Sequence, residues 1–228
     1  MPVKGVLVDF GDTIAYIDLK KYERYTKGLC SILRRHGYKG KLNDLTLLLN
    51  ELYHRSSQGE MKSFREFWNS LLKDLKLPNT PRMLSNLGDY RKHNYTGMFR
   101  LYEGVIPVLS RLREKYRLAL VSNCAVGLSD IIRELGIADF FESIVLSYQI
   151  GVRKPDKRIY LAALHSLKLE PFECIFVADE ISDLEGAREI GLKTLLVRQG
   201  QYTTHEAKNP DFKPDLQCDS IASITKLL

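Results

Sequence analysis

Five side chains stand where this sequence could do chemistry: Asp9, Ser122, Lys154, Asp179 and Asp183. Asp9 ends an apolar run, Ser122 ends "RLALVS", and Asp179 follows "CIFVA", with Asp183 four residues further on. Lys154 lies in "GVRKPD", just after "SIVLS". In open α/β sheets ligands bind outside the carboxyl ends of the strands. Those runs would therefore deliver three acids, one hydroxyl and one lysine to a single edge. That set suits phosphoryl transfer to a carboxylate. A carboxylate nucleophile and a phosphate dianion repel each other, and a divalent cation on oxygen ligands offsets the repulsion. Mg²⁺ typically uses one or two carboxylates with phosphate oxygens and waters. Lys154 would neutralise the transferring group, and Ser122 would donate a hydrogen bond to it. The stretch "VDFGDT" at 8–13 raises a separate question. Many aspartate-based enzymes carry a second acid two residues after the first. Here that place is Gly11, and the next acid is Asp12.

The elements that must position these residues are readable from pattern. Residues 3–9 are short, β-branched and apolar on both faces, which predicts a buried strand. Residues 18–36 carry helical periodicity and stop at Gly37. Asn43 is placed to cap a second helix through about Ser57. Ser63 with Glu66 forms a capping-box pattern before Phe64, Phe67, Leu71 and Leu72. Thr80-Pro81 has the N-cap and N1 pattern of a fourth helix, into the low 90s. From residue 104 the texture changes to alternation. Helices over 104–115, 127–135, 156–167 and 182–190 interleave with strands over 117–122, 143–147, 174–178 and 193–197. Such alternation predicts βαβ units and a parallel sheet. The first strand precedes the helical stretch and its partners follow it, so the helices read as an insertion into an α/β core. Residues 200–215 read as a polar loop.

Composition narrows the classes. The chain has 228 residues, 44% hydrophobic and 27% charged, as an ordinary globular protein does. No apolar stretch reaches the roughly 18 residues that span a bilayer. The chain enters its first apolar run after four residues, without a signal-peptide layout, and a cytoplasmic location is expected. Cys30, Cys124, Cys174 and Cys218 are widely spaced and read as free thiols. The five histidines give no ligand spacing. A net charge of +6 would steer a phosphorylated metabolite. No nucleic-acid-binding motif is present, and neither nucleic acid nor membrane is expected as a partner.

Four motifs in order give the chain a resemblance: "VDFGDT" at 8–13, "LVSN" at 120–123, "GVRKPD" at 151–156 and "VADEISDLEGA" at 177–187. It resembles the haloacid dehalogenase-like (HAD) hydrolase superfamily, as a C1-capped, phosphatase-type member. The resemblance implies a Rossmann-like doubly wound parallel sheet, residues 1–16 and 98–228, with an all-helical cap domain inserted at 17–97. It implies an Mg²⁺-dependent phosphatase of a small phosphorylated metabolite. Asp9 would be the nucleophile that forms an aspartyl-phosphate. The carbonyl of Gly11 would ligate Mg²⁺ beside Asp9 and Asp179, and Asp183 would ligate or orient through water. Ser122 and Lys154 would hold the phosphate, with Asn123 supporting that loop.

The departures matter as much as the match. Family phosphatases usually have Asp at the position of Gly11, as general acid and base. Asp12, the substrate itself, or nothing at all would replace it here. The rival readings are a haloacid dehalogenase, a phosphonatase-type hydrolase, and a non-catalytic protein that keeps the metal and phosphate cradle. Asp179 and Asp183 weigh against dehalogenation, which is metal-free and lacks the first of these acids. A phosphonatase needs a Schiff-base lysine in its cap, and Lys20, Lys21, Lys27 and Lys62 show no motif for it. Trp68, Tyr16, Tyr22, Tyr25 and Tyr53 read as core rather than substrate contacts. Arg55 and Lys62, near a helix junction, are candidates to reach substrate.

Overall fold

A computed structural model describes residues 2–200 and 211–228. The part of the expected polar loop at 201–210 lies outside the described residues. Six parallel strands form one sheet in the order β5-β4-β1-β6-β7-β8. They are β1 (Gly5–Val8), β4 (Arg117–Ser122), β5 (Ser143–Leu146), β6 (Cys174–Ala178), β7 (Lys193–Val197) and β8 (Leu216–Cys218). A separate antiparallel pair joins β2 (Ala15–Ile17) to β3 (Phe99–Leu101).

The central strands are buried on both faces because helices cover both. Val6 and Val8 point to the side of α5 (Val105–Lys115) and α6 (Leu128–Glu134). Leu7 points to the side of α8 (Lys157–Leu167) and α9 (Ile181–Glu189). Val6, Leu7 and Val8 are at most 1% exposed, and each such side chain contributes roughly 1.5–3 kcal/mol by leaving water. The sheet is thus the doubly wound, Rossmann-like arrangement the alternation predicts. A short helix, α7 (Ser147–Ile150), follows β5.

Between β2 and β3 run four helices: α1 (Leu19–Arg35), α2 (Leu42–Ser57), α3 (Phe64–Asp74) and α4 (Pro81–Asn94). Their starts follow local chemistry. Asp18 accepts from the amides of Lys20 and Lys21, Ser63 from Glu66, and Thr80 from Met83. Pro81 stands at the start of α4, where its missing N–H costs nothing. Asn43 is not the cap of α2. Lys41 precedes that helix, and Asp44 accepts from the Lys41 amide at 3.3 Å, so Asn43 falls inside the first turn. Among the described residues, no helix is long and apolar enough to cross a membrane. All four cysteines are free.

The topology decides where a site can form. β1 is central, with β4 and β5 on one side and β6, β7 and β8 on the other. The chain reverses direction across the sheet between β1 and β6, which opens a crevice at their carboxyl ends. Asp9 follows β1 and Asp179 follows β6, and the Asp9 amide donates to the Val177 carbonyl at 2.9 Å.

Candidate active site

At that crevice one lysine ties the sequence-predicted residues together. Lys154 Nζ lies 2.7 Å from Asp9 Oδ1 and 2.7 Å from Asp183 Oδ2, with its side chain 1% exposed. Each residue reaches the crevice from a different element. Asp9 leaves β1, Lys154 precedes α8, and Asp183 belongs to the first turn of α9. Asn123 fixes the lysine's backbone from two sides. Its Nδ2 donates to the Lys154 carbonyl at 3.0 Å, and its Oδ1 accepts from the Lys154 amide at 2.7 Å. Tyr160 Oη donates to the Asp183 carbonyl at 2.7 Å, anchoring the start of α9. Ser122, at the end of β4, is buried.

Asp9 Oδ1 also accepts from the Phe10 amide at 2.7 Å. Both contacts fall on Oδ1, leaving Oδ2 for a cation or a phosphorus atom. Burial raises the Asp9 pKa, Lys154 opposes that, and Asp183 and Asp179 raise it further, to about 7. Burial by itself would lower the Lys154 pKa; Asp183 and Asp9 more than offset it and hold the ammonium above its ordinary range. Two buried carboxylates, Asp9 and Asp183, thus share one buried ammonium, with a third, Asp179, buried at the end of the neighbouring strand. That surplus of negative charge is what a divalent cation would neutralise, so the donor set fits Mg²⁺. Asp9, Asp179 and the Gly11 carbonyl are the groups that would hold it. Among the described residues, no group of three or more His, Cys, Asp or Glu side chains is arranged as a metal site by itself. Two carboxylates, a carbonyl and waters would suit magnesium, which tends to retain water. Asp183 meets Lys154 through Oδ2, and its Oδ1 would serve to ligate the cation or orient a water beside it.

Two partners were not legible in the sequence. Thr13 Oγ1 donates to Asp179 Oδ1 at 2.8 Å and accepts from the Asp179 amide at 3.0 Å. This reciprocal pair orients Asp179 from 166 positions away. Tyr102 Oη donates to Asp12 Oδ1 at 3.2 Å. Asp12 has φ +52°, a left-handed conformation that Asp tolerates better than most residues. Its amide donates to the Ala15 carbonyl at 2.8 Å, closing the turn into β2.

Beside this cluster lies a cavity of about 410 Å³, lined by Gly11, Asp12, Ser122 and Asn123 from the sheet edge and by residues of β2, β3 and the four-helix stretch. Tyr16, Tyr22 and Tyr53 line it, and Tyr22 and Tyr53 also pack against the hydrophobic core. Trp68 and Tyr25 are core. Arg55 pairs with Glu60 at 2.8 Å, and neither Arg55 nor Lys62 lines the cavity. Gly11 borders it with open space on its side-chain face: nothing lies within 4 Å of where a Cβ would stand.

Comparison with known proteins agrees with this geometry. A model of the family described as haloacid dehalogenase-like hydrolase matches residues 44–197. A glyceraldehyde 3-phosphate phosphatase from Methanopyrus kandleri is 30% identical, aligned over 95% of this chain and 93% of its own length. Two solved structures share the fold. A 2-haloacid dehalogenase from Pseudomonas syringae superposes with a TM-score of 0.73 at 21% identity, over 99% of this chain and 97% of its own. A mutant HAD family enzyme from Bacteroides thetaiotaomicron, in complex with magnesium and inorganic phosphate, superposes with a TM-score of 0.63 at 20% identity, over 89% of this chain and 98% of its own. On the family model and the full-length relative together, the chain belongs to the haloacid dehalogenase-like hydrolase family, alongside phosphatases of that family.

Proposed function

We propose that this protein is a Mg²⁺-dependent phosphatase of a small phosphorylated metabolite, working through an aspartyl-phosphate on Asp9. The observation that carries the proposal is the lysine bridge, Lys154 Nζ at 2.7 Å from both Asp9 and Asp183 beside buried Asp179 and Ser122. An ammonium held there lies where the charge of a transferring phosphoryl group must be matched. Mg²⁺ on Asp9, Asp179 and the Gly11 carbonyl would supply the remaining positive charge. Asp9, as the carboxylate, attacks phosphorus while the bond to the leaving oxygen breaks. Ser122 and Lys154 hold the phosphoryl oxygens, and Asn123 keeps the lysine loop in register. Water then attacks phosphorus, which frees Asp9 and inorganic phosphate. The leaving oxygen needs a proton, and the attacking water must lose one. Gly11 has no side chain for either task. Asp12, on the cavity wall and steadied by Tyr102, is the carboxylate on hand. An acyl phosphate would need little protonation.

The helical stretch between β2 and β3 then serves as the cap, residues 17–97, and the cavity beneath it takes the leaving group. Asp179 and Asp183 weigh against metal-free dehalogenation. Among the described residues that line the cavity there is no lysine, which weighs against Schiff-base chemistry. The test is phosphate release from a metabolite panel with Mg²⁺, wild type against Asp9→Asn. Release that survives the substitution would rule the mechanism out. Tight binding of phosphate mimics with no turnover on any substrate would point instead to a binding protein.

A further inference from the structure

The cavity has a chemistry distinct from that of the acidic cluster. At about 410 Å³ it belongs to the small end of small-molecule sites. Tyr16, Ile17, Tyr22, Tyr53, Tyr95 and Phe99 make much of its wall. The rings brace one another: Tyr53 and Tyr95 are 6.3 Å apart between centroids, and Tyr95 and Phe99 are 5.8 Å apart. Such a wall is a firm apolar surface. Among the described residues that line the cavity, Asp12 is the one charged side chain, and it is an anion. Arg91 lies behind the wall, 5.3 Å from the Tyr95 centroid, committed to Asp130 at 2.7 Å and stacked on Phe64. On the helical side Asn50 is an uncharged polar handle, and its Oδ1 accepts from Tyr22 Oη at 3.1 Å.

We infer that the leaving group of the physiological phosphomonoester is uncharged and presents an apolar or aromatic face to this wall. Phosphomonoesters that carry a carboxylate or a second phosphate are selected against. The inference rests on the phosphatase reading above and adds the substrate class. An anionic leaving group would bring its charge against a largely apolar wall that holds no cation among the described residues lining it, a cost that burial makes large. A hydroxyl or amide on the far end of an uncharged leaving group would meet Asn50.

Benzyl phosphate and para-carboxybenzyl phosphate share the same class of leaving alcohol and differ by one para carboxylate; para-carbamoylbenzyl phosphate, of the carboxylate's size but uncharged, controls for bulk and should behave like benzyl phosphate. With Mg²⁺, kcat/KM for benzyl phosphate should exceed that for the carboxylate by about tenfold or more. An equal or inverted ratio would overturn the inference. Leu19, 55% exposed at the cavity rim, accepts a charge without threatening the fold. Leu19→Lys should raise the carboxylate substrate relative to benzyl phosphate, and an unchanged ratio would count against the cavity as the leaving-group site. Turnover depends on the phosphatase reading as well, so binding provides a separate readout. Benzylphosphonate should bind the Mg²⁺-loaded protein more tightly than para-carboxybenzylphosphonate by calorimetry. That preference without turnover keeps the inference and sinks the phosphatase reading. Turnover without any preference does the reverse.

Discussion

Gly11→Asp places a carboxylate on the cavity wall at the position where family phosphatases usually carry their acid and base. The structure leaves room for it. Nothing lies within 4 Å of the new Cβ, and Gly11 is not among the residues with left-handed backbone, so an L side chain is accepted there. Positioned acid–base catalysis is typically worth about 10²–10⁴-fold, or roughly 3–5 kcal/mol of barrier. Asp12 already borders the same cavity, held by Tyr102, and any proton transfer it provides lowers the gain. The lower end is therefore expected, about 10²-fold in the rate of the first step for a substrate with a poor leaving group such as benzyl phosphate. Acetyl phosphate, whose leaving group departs without a proton, should gain little in its first step. The assay is the single-turnover rate of leaving-group release from both substrates with saturating Mg²⁺, wild type beside Gly11→Asp, so that hydrolysis of the shared intermediate does not enter. Equal change on the two substrates, or none on benzyl phosphate, would refute the claim that the missing acid is what residue 11 costs the enzyme.

Other perturbations probe the charge cluster. Lys154→Met strands buried carboxylates and should destabilise the metal-free protein by about 3 kcal/mol, the low end for a broken buried pair because Asp9 can take up a proton. Urea unfolding in chelator measures it, and Lys154→Met with Asp183→Asn should recover part of the loss. Asp9 has a folded-state pKa of about 7 against an ordinary value of 3.8, so the folded protein holds the extra proton between those values. Its contribution to stability is present below about pH 4 and is lost as pH rises through about 7. Mg²⁺ competes with that proton, and the thermal shift it produces should be larger at pH 8 than at pH 5.5; the opposite order would contradict Asp9 as a ligand. Thr13→Val removes the hydroxyl that orients Asp179 and should weaken Mg²⁺ affinity about 10–100-fold in a calorimetric titration.

The parts of the fold legible in the sequence are those where burial is two-sided. β1, β4, β6 and β7 read as apolar runs because helices cover both faces of each, and the residue that ends such a run is delivered to the crevice by topology. The strand-end acids, the serine and the lysine were therefore legible before any coordinates. β2, β3 and β8 are three residues long each, too short for a period-two pattern to emerge. The partners Thr13–Asp179 and Tyr102–Asp12 are separated by 166 and 90 positions, a closeness that only the folded chain creates. Tyr22 and Tyr53 pack against the core and also line the cavity, a double position that periodicity does not reveal. An apolar stripe has the same periodicity whether it packs on a neighbour or walls a cavity.

The central claim is that Asp9 carries the phosphoryl group. Acetyl phosphate with Mg²⁺, quenched in acid within a single turnover, tests it by mass mapping of the peptide that contains Asp9. With no side chain at position 11 to activate water, the intermediate should accumulate, and that peptide should gain the mass of one phosphoryl group, lost in Asp9→Asn. Phosphate release with no labelled peptide, or label that persists in Asp9→Asn, would contradict it.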